Sequence, residues 1–260
     1  MLHSLSDIRR SVLEAKDGEI GRCHDFLFDD RHWTIRYMVA DTHKWLPGRK
    51  VLVSPISVGS PDWQGARLPV QLTREQIKQG PDLAEDQPVS RQYESLYFDY
   101  YNWPYYWMGP YPWGTHPEPQ LLYVDQQVRR EREMELEHSD SHLRSAKEVE
   151  GYHIQATDGD IGHVEDFLAD DRSWTIRYLV VDTRNWLPGR KVLIAADWFE
   201  EVRWADRTVT VGLRQGQVKE SPVYHQGEPV DRGYERIVYN FYGLPPYWRP
   251  KMDNDAPTSS

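Results

Sequence analysis

AKDGEIGRCHDFLFDDRHWTIRYMVADTHKWLPGRKVLVSP, residues 15–55, decides the fold, because it returns as ATDGDIGHVEDFLADDRSWTIRYLVVDTRNWLPGRKVLIAA at residues 156–196. The two stretches align without a gap at an offset of 141, and 27 of 41 columns are identical. The offset persists further along the chain. Leu72 matches Leu213, Pro88 matches Pro229, Tyr93-Glu94 matches Tyr234-Glu235, and Tyr106-Trp107 matches Tyr247-Trp248. The period is far longer than the 20–50 residues of a stacked solenoid, so the chain reads as two copies of one domain. Two copies of a module are expected to pack about a pseudo-two-fold axis, as homodimers do. The chain divides into a first unit at 1–107, a linker at 108–142, a second unit at 143–248 and a disordered tail at 249–260.

Within one unit the local signals are those of short strands. Val12–Ala15 is a strand, and Lys16-Asp17-Gly18 a turn, since Asp-Gly between apolar runs favours a hairpin. Glu19–Phe28 alternates as a strand does, and Trp33–Asp41 is rich in β-branched and aromatic residues. Leu46-Pro47-Gly48-Arg49 is a turn. Lys50–Pro55, Ser57–Gly59 and Leu68–Leu72 complete a set of five or six antiparallel strands, whose spacing suggests a small barrel. Thr73 and Gln76 have the spacing of a capping box, so a short helix starts there and ends near Gly80. A second helix is expected from Ser90 to Tyr100, with Tyr93, Leu96 and Tyr97 on its inner face. The linker begins Pro-rich and extended, and its stretch 124–140 is a charged helical candidate.

These residues resemble the PRC-barrel family. The resemblance is carried by Asp17-Gly18-Glu19-Ile20-Gly21, Asp25-Phe26-Leu27-Phe28-Asp29 and Ile35-Arg36-Tyr37-Met38-Val39. In the second copy it is carried by Asp158-Gly159-Asp160-Ile161-Gly162, Asp166-Phe167-Leu168-Ala169-Asp170 and Ile176-Arg177-Tyr178-Leu179-Val180. Such barrels occur in the cytoplasmic part of the photosynthetic reaction-centre H subunit and at the C-terminus of a ribosome maturation factor. The resemblance implies a mainly β protein with short helices: two small PRC-like β-barrels in tandem, each followed by helices and an aromatic tail. It also implies a protein-interaction role. The H subunit's membrane helix and the ribosome factor's separate N-terminal domain have no counterpart here, so neither specific function transfers.

Composition narrows the function. The net charge is −10, against the basic surface that phosphate neutralisation requires, so nucleic acid is not an expected partner. No window of 18 apolar residues occurs, so no membrane span is expected. The single cysteine, Cys23, fits a reducing compartment and hence the cytoplasm, and Val164 at its matching position marks it as a packing residue. His24 and His32 are replaced by Glu165 and Ser173 in the second copy, which argues against a metal site shared by both copies. Asp25, Asp29 and Asp30 recur as Asp166, Asp170 and Asp171 and read as turn residues. Neither a nucleophile elbow nor a phosphate loop is present. No catalytic residue, metal or cofactor is therefore expected.

Two features remain as interaction candidates. One is the basic turn, Arg49-Lys50 and Arg190-Lys191, which suits an acidic partner or an internal ion pair such as Arg49 or Arg36 with Asp41. The other is the aromatic tail, with Tyr100, Tyr101, Trp103, Tyr106 and Trp107 in the first copy and Tyr242, Tyr247 and Trp248 in the second. Exposing so many rings would create an adhesive patch, so each tail is expected to fold back over a barrel or over the other copy, the copies packing together through the tails, with self-assembly or a foreign partner as further outlets. The sequence thus suggests a non-enzymatic scaffold or adaptor with an unidentified protein partner and a possible homo-oligomer. A ligand binder or enzyme with a site between the copies is the first alternative. An accessory to a photosynthetic-membrane or ribosomal assembly is the second, by family analogy.

Overall fold

A computed structural model describes residues 1–42, 46–84, 86–120, 142–183 and 189–249. The chain is mainly β, with two mixed sheets and short helices. The first sheet is built from β2 (Val12–Ala15), β3 (Gly18–Asp29), β4 (Thr34–Asp41), β5 (Val51–Val53) and β6 (Arg67–Pro69), in the order β5-β4-β3-β2-β6. The second contains β8 (His153–Ala156), β9 (Gly159–Asp170), β10 (Ile176–Asp182), β11 (Lys191–Ala195), β12 (Phe199–Arg203) and β13 (Thr208–Val211), in the order β11-β10-β9-β8-β13-β12. Two further three-residue strands, β1 (Leu2–Ser4) and β7 (Leu143–Ser145), attach to β9 and β3 respectively.

The local expectations hold where the signal is local. Gly21 and Gly162 have φ of +144° and +142°, and a Cβ on either would lie 1.9 and 2.0 Å from the carbonyl oxygens of Asp41 and Asp182. Only glycine lets the long strand approach its neighbour so closely. α2 (Arg74–Gln79) starts on Thr73 with a complete capping box, and α3 (Arg91–Tyr100) starts on Ser90. Their counterparts are α5 (Gln215–Glu220) and α6 (Arg232–Tyr242), the latter capped by Asp231 and ended by Gly243 at φ +67°.

Three expectations are corrected. The sheets are not wholly antiparallel, because β2 pairs with β6, and β8 with β13, in parallel. The excursion after β5 brings the chain back along the far edge of β2 in the same direction. Residues 57–59 do not form a strand: Ser54 caps a 3₁₀ turn at Pro55–Ser57, and Val58 makes a single bridge to Val70. Finally, α3 buries Tyr93, Glu94, Tyr97 and Phe98, while Leu96 is 57% exposed. At 3.6 residues per turn, positions 93, 94, 97 and 98 share one face, and position 96 falls opposite it.

The feature that sequence periodicity did not reveal is an exchange of first strands. β1, from the start of the chain, joins the sheet of residues 153–211, with Leu2 opposite Asp170 and Ser4 opposite Leu168. β7 joins the sheet of residues 12–69, with Leu143 opposite Asp29 and Ser145 opposite Leu27. The short helices that follow, α1 (Leu5–Ile8) and α4 (Ala146–Val149), carry Leu5, Ile8, Ala146 and Val149 into the interior. Between the sheets, the Ile35 amide donates to the Trp174 carbonyl at 2.8 Å and the Ile176 amide to the Trp33 carbonyl at 2.6 Å. Phe28 and Phe167 meet at 6.1 Å between ring centres. One continuous apolar core spans both sheets.

Candidate functional site

The repeated carboxylates mainly hold this exchange in place. Asp25 accepts from the Ser145 hydroxyl at 2.5 Å and the Lys147 amide at 3.2 Å. Asp166 accepts from the Ser4 hydroxyl at 2.6 Å and the Ser6 amide at 3.2 Å. Asp30 pairs with Arg144 at 3.2 Å, and Asp171 with the N-terminal amine at 2.6 Å and His3 at 3.3 Å. Turn chemistry therefore describes Asp29 and Asp170, which accept backbone amides two and three residues ahead, but not Asp25, Asp166, Asp30 or Asp171.

Burial opposes ionisation of Asp29, but hydrogen bonding from His32 and the Arg36 guanidinium at 2.6 Å hold its carboxyl well below the usual range. At Asp171, burial is likewise outweighed by His3 and the terminal amine, which bring it down to about 2. A depressed folded-state value means that the stabilisation is complete above the ordinary aspartate range and is lost as pH falls towards 2. Asp171→Asn is expected to lower stability by about 1 kcal/mol at pH 7, since the pair is partly solvent-screened, and by less at pH 2. Denaturant melts at the two pH values would check this, and equal losses at both would refute it.

The aromatic tails fold onto their own sheets around a buried glutamate. α3 turns Glu94 fully inward, where the hydroxyls of Tyr37 and Tyr106 donate to it at 3.1 and 2.7 Å and Arg91 pairs with it at 2.7 Å. The Arg36 guanidinium lies 3.8 Å from the Tyr106 ring centre and 4.8 Å from that of Trp113, and Arg91 lies 4.2 Å from that of Trp107. The second half repeats the arrangement. Glu235 accepts from Tyr178 and Tyr247 at 3.0 and 2.8 Å and pairs with Arg232 at 3.0 Å. Arg177 covers Tyr247, and Arg232 covers Trp248, both at 4.1 Å. Burial raises both glutamates, and the neighbouring arginines and tyrosine hydroxyls offset this only in part.

Of the other aromatic candidates, Trp103 and Tyr242 are buried, and Tyr101 stacks on Trp103 at 4.7 Å. Tyr100 stays 41% exposed while its hydroxyl donates to the Gln76 carbonyl. The expected contact between copies is thus made chiefly by the exchanged strands. The tail region adds the Trp113 indole, which donates to the Ser173 carbonyl at 2.7 Å. Sequence reading does not single out the buried glutamates as site residues, although Tyr93-Glu94 and Tyr234-Glu235 are a repeated pair.

The basic turns are also used internally. Arg49 pairs with Asp82 at 2.7 Å and donates to the carbonyls of Lys78 and Gly80, and Arg36 pairs with Asp29. Arg190 donates to the Ser221 carbonyl. Lys50 donates to the Gln87 carbonyl at 2.6 Å, whereas Lys191 pairs with Glu165 at 2.7 Å and bonds Gln226 at 3.0 Å. Trp45, Trp186, the charged stretch 124–140 and the tail from residue 250 lie outside the described residues. Cys23 is buried, and burial pushes its thiol far above the ordinary range.

Two surface features remain. One is a cleft of about 260 Å³ whose lining includes the carboxylates of Asp25 and Asp41, the cations Arg49 and Lys50, His24, the apolar Leu27, Val39 and Leu46 and, from the exchanged strand, Ser145. The other is a pair of matched apolar steps. Leu96 and Tyr100 on α3 are 57% and 41% exposed, and Ile237 and Phe241 on α6 are 58% and 41% exposed. These are the same two positions of the repeat. Among the described residues no cluster of His, Cys, Asp and Glu suits a metal ion, and no helix is long and apolar enough to cross a membrane. No protein-family model matches this chain and no curated protein matches it, so its residues alone carry the functional reading.

Proposed function

We propose that this chain is a non-catalytic interaction scaffold formed by two PRC-barrel-like copies. The observation that carries the proposal is the matched exposure of Leu96 and Tyr100 with Ile237 and Phe241. Residues four apart stand side by side on a helix, so each pair forms an apolar step on an otherwise polar face. The tails bury most of their rings, yet these two positions face outward in both halves.

The occupant proposed for these faces is a second copy of the chain. Asp99, whose carboxylate also accepts from the Tyr105 hydroxyl at 2.9 Å, borders the first step and Arg236 the second, both exposed, so α3 of one molecule is opposite in charge to α6 of another as well as alike in apolar surface. Light scattering at concentrations on the order of 100 micromolar is expected to give a dimer mass or larger. Leu96→Asp with Ile237→Asp is expected to give a monomer with an unchanged melting temperature. A wild-type monomer, or a double variant that still associates, would sink the idea.

The cleft favours a second reading, that of a ligand binder. Its wall combines β3, β4 and the basic turn of one half with Ser145 of the other, which supports this reading.

A further inference from the structure

The second half serves as an internal reference for the cleft in the first. At the matching place, Glu165 on β9 offers its carboxylate to Lys191 at 2.7 Å, so side chains at these two positions reach one another. In the first half the lysine is kept as Lys50, whose ammonium gives one of its three N–H groups to the Gln87 carbonyl at 2.6 Å, but the carboxylate is replaced by His24. A further cation also arrives. Lys147, whose counterpart is Ser6, places its ammonium 3.1 Å from His24 Nε2 and 3.2 Å from Nδ1. The nearby Asp25 carboxylate is already engaged by the Ser145 hydroxyl and by the amides of Lys147 and Phe26. Leu27, Val39 and Leu46 supply an apolar wall beside these polar groups.

Resting on the ligand-binder reading, we propose that this cleft binds a carboxylate carried on a short aliphatic stem. The carboxylate takes the place that Glu165 fills in the second half, accepting hydrogen bonds from Lys50 and from the Lys147–His24 pair, while its stem lies on Leu27, Val39 and Leu46. Charged donors on a carboxylate supply the affinity, and the apolar wall favours a stem over a bare inorganic anion. The source is either a free small acid or a glutamate side chain on a partner, since both present the same group.

The test is calorimetric titration of the full chain with glutarate, with acetyl-glutamyl-methylamide in a parallel arm and pentanamide as the uncharged control. Saturable uptake of one carboxylate probe per chain is expected, and the tighter of the two probes identifies the source. His24→Glu rebuilds the internal ion pair of the second half, so it is expected to weaken uptake at least about tenfold with no loss in melting temperature. Lys50→Met provides an independent variant and is expected to weaken uptake by a similar factor. Uptake of neither carboxylate, or undiminished uptake by both variants, overturns the proposal. Uptake of pentanamide without either carboxylate overturns the carboxylate assignment while leaving a ligand cleft, and uptake of none of the three overturns both.

Discussion

Deleting residues 1–8 is expected to damage the half of the molecule that lies more than 140 residues away in sequence. The segment supplies β1 to the edge of β9, and its Leu2, Leu5 and Ile8 are 8%, 0% and 2% exposed. Burying a large aliphatic side chain contributes roughly 1.5–3 kcal/mol, so the three together are worth about 5 kcal/mol or more. That is comparable with the ~5–15 kcal/mol that stabilises a typical folded domain. The Ser4–Asp166 and N-terminus–Asp171 bonds are lost with them. The deletion also leaves an unpaired stretch of β9, an invitation to edge-to-edge association. Hydrogen exchange should therefore show lost protection in β9 and β10 before β3 and β4, together with a tendency to aggregate. If protection is lost first in β2–β4, or if the truncated chain melts like the intact one, the exchanged strand does not unite the two halves.

The second large effect belongs to Glu94. Glu94→Ala is expected to destabilise the chain by about 3–5 kcal/mol, the usual cost of removing one partner from a buried ion pair. Arg91 would lose its carboxylate, and the hydroxyls of Tyr37 and Tyr106 would lose their acceptor, all in the interior beneath Trp107. Glu94→Gln keeps an acceptor and should cost less. The pH response has the opposite sign to that of Asp171. Because burial raises Glu94 above the ordinary glutamate value, the folded chain holds this proton more tightly than the unfolded chain does. The proton-linked part of the site's stability, as distinct from the pairing that Glu94→Ala removes, is then fully present below the ordinary value and is lost as pH rises through the raised one. Denaturant midpoints at pH 4 and pH 7 would read this, with Glu94→Gln removing the loss attributable to the site. An unchanged midpoint in Glu94→Ala at pH 7 would show that the buried pair contributes nothing net.

The same two changes at the matching position of the second half offer an internal control. Glu235 has the same tyrosine and arginine partners, but its arginine, Arg232, is more open to solvent at 44% against 12% for Arg91. A smaller loss is therefore expected for Glu235→Ala than for Glu94→Ala, because water can solvate the orphaned cation more readily.

By itself the sequence determined the elements whose causes are local. The Asp-Gly turns, the long alternating strands and the helix starts at Thr73 and Ser90 all depend on residues within a few positions of one another. The tertiary structure alone decided which edges those elements would share. Leu2–Ser4 and Leu143–Ser145 are three-residue strands, too short for alternation to register, and their partners lie more than 100 residues away. The same limit hid Glu94, whose charge marks it as a surface residue until Tyr37 from β4 and Tyr106 from the aromatic tail are brought over it. It also hid the cleft, because His24 differs from Glu165 only as a substitution until Lys147 is brought against it and Lys50 lines the same cleft. Short-range chemistry specifies strands, turns and caps, whereas burial and charge pairing are properties of neighbours that only folding supplies.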